Sequence, residues 1–131
     1  AKREDIVAIV RAVAHLARTL HHAGIHHQDF YLCHLLMPRG ENPMGTHVID
    51  LGRARSRRRL GKRWIVKDLA QLNYSARGLQ QRDRLRFLRY YLQRRLCRAD
   101  RALIQRVLRK SVAIERHTSR HAAELTGKAA A

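Results

Sequence analysis

His26-His27-Gln28-Asp29-Phe30-Tyr31-Leu32-Cys33-His34 is the stretch on which the reading of this chain turns. Through to Met37 it is apolar but irregular, mixing His, Asp, Tyr and Cys, and neither a surface helix nor a regular strand is written that way. Pro38-Arg39-Gly40-Glu41-Asn42-Pro43 follows as a turn or hairpin loop. Thr46-His47-Val48-Ile49-Asp50 then reads as a short buried strand, closed by Leu51-Gly52. One carboxylate (Asp29) on a rigid loop and a second (Asp50) at the end of a buried strand can point at a single cleft.

Working outward, the flanks are helical. Ile6, Ile9, Val10, Val13, Leu16, Ala17 and Leu20 recur at the spacing of one long amphipathic helix that ends near Gly24. Arg53 to Arg63 is polar and basic, with Gly61 inside it, and reads as a loop. Helical spacing resumes at Trp64 and runs to Gly78, with Asp68 near its start. A third helix covers Leu79 to Arg95, with Leu85, Leu88, Tyr91 and Leu92 as its core face. Asp100 is placed to cap a fourth, whose apolar positions are Leu103, Val107, Leu108, Val112 and Ile114. Residues 119–131 read as a disordered tail. The expectation is a mainly α domain over residues 1–118 with a small β-hairpin. Within it, 26–37 is a candidate catalytic loop, 50–52 an Asp-x-Gly motif and 64–118 a helical subdomain.

The net charge of +18 over 131 residues, most of it from Arg, predicts an anionic partner: nucleic acid, anionic lipid, or a phosphorylated or acidic sugar. Cys33 and Cys97 form neither a Cys-x-x-Cys pair nor a disulfide framework, which fits a reducing compartment. No apolar run approaches the ~20 residues of a membrane span, and no signal-peptide core is seen. The chain opens Ala1-Lys2-Arg3 without a Met, directly into an amphipathic pattern, so upstream sequence is expected to be missing. The histidines at 21, 22, 26, 27 and 34 with Cys33 invite a zinc reading, but the distant second ligand pair of such sites is lacking.

Kinase catalytic loops read H-R-D-x-x-x-x-N, and a later D-F-G supplies a second carboxylate. His27-Gln28-Asp29 stands in the first place, His34 in the Asn place, and Asp50-Leu51-Gly52 in the D-F-G place. The spacing has a chemical reason. Phosphoryl transfer needs one carboxylate to orient the acceptor hydroxyl and take its proton, and another to hold the metal that neutralises the triphosphate.

The wording is more specific still. Residues His27 to Leu36 resemble the His-Arg-Asp-x-Tyr-x-Cys-His-Phe-Leu stretch of lipopolysaccharide kinases, which act on core heptose or Kdo. Arg63-Trp64-Ile65-Val66-Lys67-Asp68-Leu69-Ala70-Gln71-Leu72 is similar to that family's Arg-Trp-x-x-Lys-Asp-Leu-Ala-x-Leu segment. The resemblance spans roughly residues 6 to 95. It implies a protein-kinase-like C-terminal lobe with Asp29 as catalytic base, Asp50 as metal ligand and His34 on the metal side. His27 and Asp68 would support the catalytic loop. Cofactors would be ATP and Mg²⁺, and the acceptor a sugar hydroxyl of the lipopolysaccharide core precursor. That implies a cytoplasmic enzyme peripheral to the inner face of the inner membrane, with an anionic membrane surface as a further contact. Arg53, Arg55, Arg57, Arg58, Arg59, Lys62 and Arg63 follow the Asp-x-Gly motif, where kinases dock the acceptor.

Departures from the pattern matter. Gln28 replaces the usual Arg, and the Gly-rich loop, the strand Lys and its partner Glu are not in this sequence. The N-lobe that carries them is expected to be missing, and the isolated chain inactive. Each residue also has a plainer reading: Asp29 as a loop cap, Asp50 as a turn former, His34 as a packed histidine, Asp68 as a helix N-terminal charge, the basic run as a solvated loop. Two other functions fit the bulk features. One is another small-molecule kinase with this lobe, which the Tyr-x-Cys-His stretch disfavours. The other is a basic helical nucleic-acid-binding module, disfavoured by the scarcity of aromatics and of any known binding signature.

Overall fold

Helical spacing becomes helix along most of the chain, which is seen here as a computed structural model describing residues 2–38 and 43–130. Helix α1 (Arg3–His22) carries Glu4 and Asp5 in its first turn, matching the positive end of its dipole. Gly24, at φ +79°, then turns the chain into strand β1 (Ile25–His26). A Cβ at Gly24 would collide with the carbonyl oxygen of Arg57, whose own N–H donates to the Gly24 carbonyl at 2.8 Å. Only glycine permits that approach.

Two short antiparallel ladders follow, where the sequence reading expected one hairpin. β2 (Leu35–Leu36) pairs with β3 (His47–Val48), and β1 pairs with β4 (Arg55–Ser56). The second ladder lies in the stretch read as a basic loop. Both β4 residues are exposed, so their pairing rests on backbone groups and leaves no apolar alternation in the sequence. The turn read at Pro38 to Pro43 falls on residues 39–42, which lie outside the described residues.

Helices α2 (Lys62–Ser75), α3 (Gln81–Leu92) and α4 (Arg101–Ala130) complete the lobe, with α1 against α3 and α2 against α4. Val13, Ala14 and Ala17 of α1, Phe30 of the loop, Leu69 and Leu72 of α2, and Leu88 and Tyr91 of α3 form the core. Leu103, Ile104 and Val107 of α4 pack against it. Leu85, Leu108 and Val112 do not join: they are exposed, and Leu85 and Leu108 line an open apolar cavity of about 540 Å³ between the helices.

Two further expectations change. Asp100 ends a short 3₁₀ turn (Arg98–Asp100) ahead of α4, and its carboxylate accepts the Cys97 N–H at 2.8 Å. Its hydrogen bond thus runs back to the turn, where the sequence reading made it the cap of the helix itself. The tail read as disordered continues α4 to Ala130. Ala122, Ala123, Glu124 and Leu125 favour helix intrinsically, but they present no buried face, so periodicity passed over them.

Candidate active site

The loop that carries Asp29 is fastened from below by one face of α2. Asp68, Gln71 and Ser75 recur at helical spacing, and each spends its side chain on loop backbone. Asp68, almost fully buried, accepts the N–H groups of His27 at 2.9 Å and Gln28 at 3.0 Å. Gln71 accepts from Phe30 N–H at 2.8 Å and donates to the Gln28 carbonyl at 2.7 Å. Ser75 Oγ accepts the Leu32 N–H at 3.0 Å. Asp68 is well inside α2, which replaces the plain reading of a helix N-terminal charge.

Behind Asp68 stands His21, with Nε2 2.9 Å from the carboxylate and Nδ1 2.7 Å from the Tyr91 hydroxyl. An imidazole that donates to the carboxylate is left to accept the phenol proton. Burial, helped by the charge of Asp68, pushes the Tyr91 hydroxyl well above the usual phenol range, so it remains a donor. The buried carboxylate is therefore satisfied by two backbone donors and one ring donor, the condition under which burying it is tolerable.

His27 is fully buried and fixes the loop from within. Its Nε2 donates to the Ile49 carbonyl at 2.9 Å, and its Nδ1 accepts the Asp29 N–H at 3.1 Å. Gln28 and Asp50 both take positive φ, +72° and +59°. Neither is glycine, so backbone strain sits at the two turns that aim Asp29 and Asp50.

Asp29, His34 and Asp50 meet at one corner. His34 Nδ1 lies 2.6 Å from the Asp29 carbonyl and must donate to it. In the neutral ring this leaves the Nε2 lone pair 3.3 Å from Asp50 Oδ2. A lone pair facing a carboxylate is held best with a cation beside them. The Asp50 side chain is 57% exposed and its oxygens open outward. Mg²⁺ takes oxygen ligands and keeps several waters, so the Asp50 carboxylate, completed by phosphate oxygens and water, suits it, while the imidazole nitrogen of His34 suits it poorly. Among the described residues no cluster of three or more His, Cys, Asp or Glu is placed to ligate a metal.

The basic run divides. Arg53 pairs with the Asp29 carboxylate, Nη1 to Oδ1 at 3.0 Å, and its carbonyl accepts the Gln28 side-chain amide at 2.9 Å. Arg57 and Arg63 lie over the Trp64 ring at 4.4 and 4.5 Å. His26 stacks on the same ring at 4.4 Å, and its Nε2 accepts from Arg57 Nε at 2.9 Å. Burial lowers the His26 pKa, and Arg57 adds to that, so the ring stays neutral. Arg55, Arg58, Arg59 and Lys62 face solvent.

Sequence reasoning missed His21, Gln71, Ser75, Tyr91 and Lys67 as site residues. Burial lowers the Lys67 ammonium, and the charge of Arg53 lowers it further while Asp29 opposes. The available signal was the polar stripe Asp68, Gln71, Ser75 on a helix whose other inward positions are apolar.

Comparison with known proteins identifies the family. The model of the lipopolysaccharide kinase (Kdo/WaaP) family matches residues 2–91. The lipopolysaccharide core heptose(I) kinase WaaP of Pseudomonas aeruginosa is 46% identical over 95 residues, covering 68% of this chain and 35% of that protein. Its namesake from Escherichia coli is 35% identical over 121 residues, covering 86% and 46%. A solved structure of WaaP in complex with acyl carrier protein superposes with a TM-score of 0.71 at 39% identity, over 82% of this chain and 48% of that one. The chain thus spans about a third to a half of the length of the relatives it matches. The loop of Asp29, the turn of Asp50 and the whole of α2 fall inside the matched residues, and this protein-kinase-like lobe belongs to the lipopolysaccharide kinase (Kdo/WaaP) family.

Proposed function

We propose that the whole protein transfers the γ-phosphoryl group of ATP to a hydroxyl of heptose or Kdo in the lipopolysaccharide inner core. This chain would supply the catalytic carboxylates. The observation that carries the reading is the meeting of Asp29 and Asp50 through His34, on a loop fastened by Asp68 and Gln71. Asp29 orients the acceptor hydroxyl and takes its proton. Its Oδ2 receives no hydrogen bond among the described residues, so that oxygen is free for the task.

Asp50 would hold Mg²⁺ together with phosphate oxygens and water, with His34 on the metal side positioning the carboxylate, and the ion would neutralise charge on the phosphates. The exposed Arg58, Arg59 and Lys62 suit an acceptor that carries acid or phosphate groups. No described helix is long and apolar enough to cross a membrane, and the proposed placement is the cytoplasmic face of the inner membrane. A second partner is suggested by the solved relative, which was captured with acyl carrier protein. The sequence reading had not included it.

The direct test supplies the whole protein with γ-labelled ATP and lipopolysaccharide bearing unphosphorylated inner-core sugars. Label on a core sugar supports the reading. Label on a nucleoside or aminoglycoside acceptor instead would replace it with another small-molecule kinase.

A further inference from the structure

We propose that Arg53 is the cation that holds the phosphoryl group in flight, and that Gln28 clasps it in place. The inference rests on the phosphotransfer reading above and adds a catalytic residue to it.

The geometry runs from Asp29 outward. Arg53 touches the carboxylate through a single nitrogen, Nη1 to Oδ1 at 3.0 Å. Nη2 and Nε donate to no other group among the described residues, and the side chain is 59% exposed. A guanidinium that served only to neutralise Asp29 would pair with both oxygens, as Arg3 does with Asp83 and Arg94 with Asp100 elsewhere in this chain. Here the fork is half used. One edge is fixed to the base, and the remaining donors are left free beside Asp29.

The backbone of Arg53 is also held, which a solvated loop residue would not need. The Gln28 side-chain amide donates to the Arg53 carbonyl at 2.9 Å, and Gln28, at φ +72°, has both its own N–H and its C=O bound by α2. Two residues on, β4 is laddered to β1, and Arg57 N–H donates to the Gly24 carbonyl. Arg53 is thus fastened on both sides without any added group. Gln28 stands where kinase loops usually carry Arg, and its neutral amide leaves Arg53 as the cation paired with the Asp29 carboxylate.

In the transfer, the acceptor oxygen forms a bond to the γ-phosphorus while the bond from that phosphorus to the β–γ bridging oxygen breaks. ADP leaves, and the acceptor proton passes to the free Oδ2 of Asp29. Charge gathers on the equatorial oxygens of the moving group, where Arg clamps are most effective. Arg53 remains a cation throughout and supplies that clamp from the two donors it holds free.

Two measurements test it. In the whole protein, Arg53→Met should lower kcat at least ~10²-fold, below the 10³–10⁵ range known for arginine clamps, with KM for ATP and acceptor each within about threefold. Free guanidinium should restore turnover in Arg53→Gly, which a structural role would not allow. Unchanged kcat, or a loss carried by the acceptor KM, would overturn the proposal. In the 131-residue chain itself, the Arg53 guanidinium nitrogen resonances should shift when Mg²⁺ and tripolyphosphate are added. If resonances around Asp50 respond and those of Arg53 do not, the proposal fails whatever the acceptor proves to be. A wild-type protein that ignores lipopolysaccharide, yet whose Arg53 responds, refutes only the acceptor reading.

Discussion

At the scale of single residues, Asp29 is held by its backbone. Its N–H is bound by His27 and its carbonyl by His34, so its carboxylate is the one part of the residue left for chemistry. Asp29→Asn in the whole protein should reduce turnover at least ~10²-fold while the fold survives, since positioned acid–base groups supply about that much. Circular dichroism and turnover on the same sample check both halves. Asp50→Ala should weaken nucleotide binding in Mg²⁺ more than binding without it, and His34→Ala should do so more mildly. Equal calorimetric losses in the two conditions would take Asp50 off the metal.

That Asp29, Asp50 and His34 belong together was legible in the sequence from their kinase-like spacing, and the structure brings them to one corner. The roles of Arg57 and Arg63 were not: the sequence grouped them with acceptor-binding charge, whereas the structure spends both on Trp64. A run of arginines carries no mark of which members stack on an aromatic ring. The acceptor test therefore belongs to Arg58 and Arg59. Replacing both with Ser should raise the acceptor KM and leave that for ATP nearly unchanged.

At the scale of elements, α2 does most of the fastening. Asp68→Ala would leave two backbone donors and the His21 ring without their shared acceptor. A buried donor left unpaired costs about 1–3 kcal/mol, so urea unfolding of this variant should show a loss of about 3 kcal/mol or more. A loss under 1 kcal/mol would mean that water replaces the carboxylate, and that the loop does not depend on α2.

The four helices were readable as elements because each has an apolar face of regular period. Three things were not readable. The β1–β4 ladder is two residues long and joined by backbone. The end of α4 has no buried face, and the polar stripe on α2 looks like a solvent face until the loop is laid against it.

At the scale of the whole molecule, two buried carboxylates are clasped by arginines, one across the length of the chain and one within a local turn. Arg3 holds the Asp83 carboxyl below its ordinary range and joins the start of α1 to the start of α3. Arg94, with the Cys97 N–H, holds Asp100 well below it. A carboxyl depressed by folding stabilises above its unfolded pKa of about 3.9 and loses that stabilisation as pH falls through the folded value. The urea midpoint should therefore fall as pH drops from about 4 toward 2, and Arg94→Met should flatten that fall. A midpoint flat to pH 2 would mean that neither pair contributes.

The central claim, that this lobe carries the carboxylates of a sugar kinase, meets its most direct test in one labelled-transfer assay. The whole protein and its Asp29→Asn variant are given γ-labelled ATP and unphosphorylated core lipopolysaccharide. The account predicts label on a core sugar with the wild type and at least ~10²-fold less with the variant at equal fold content. Equal labelling by the two proteins would contradict it.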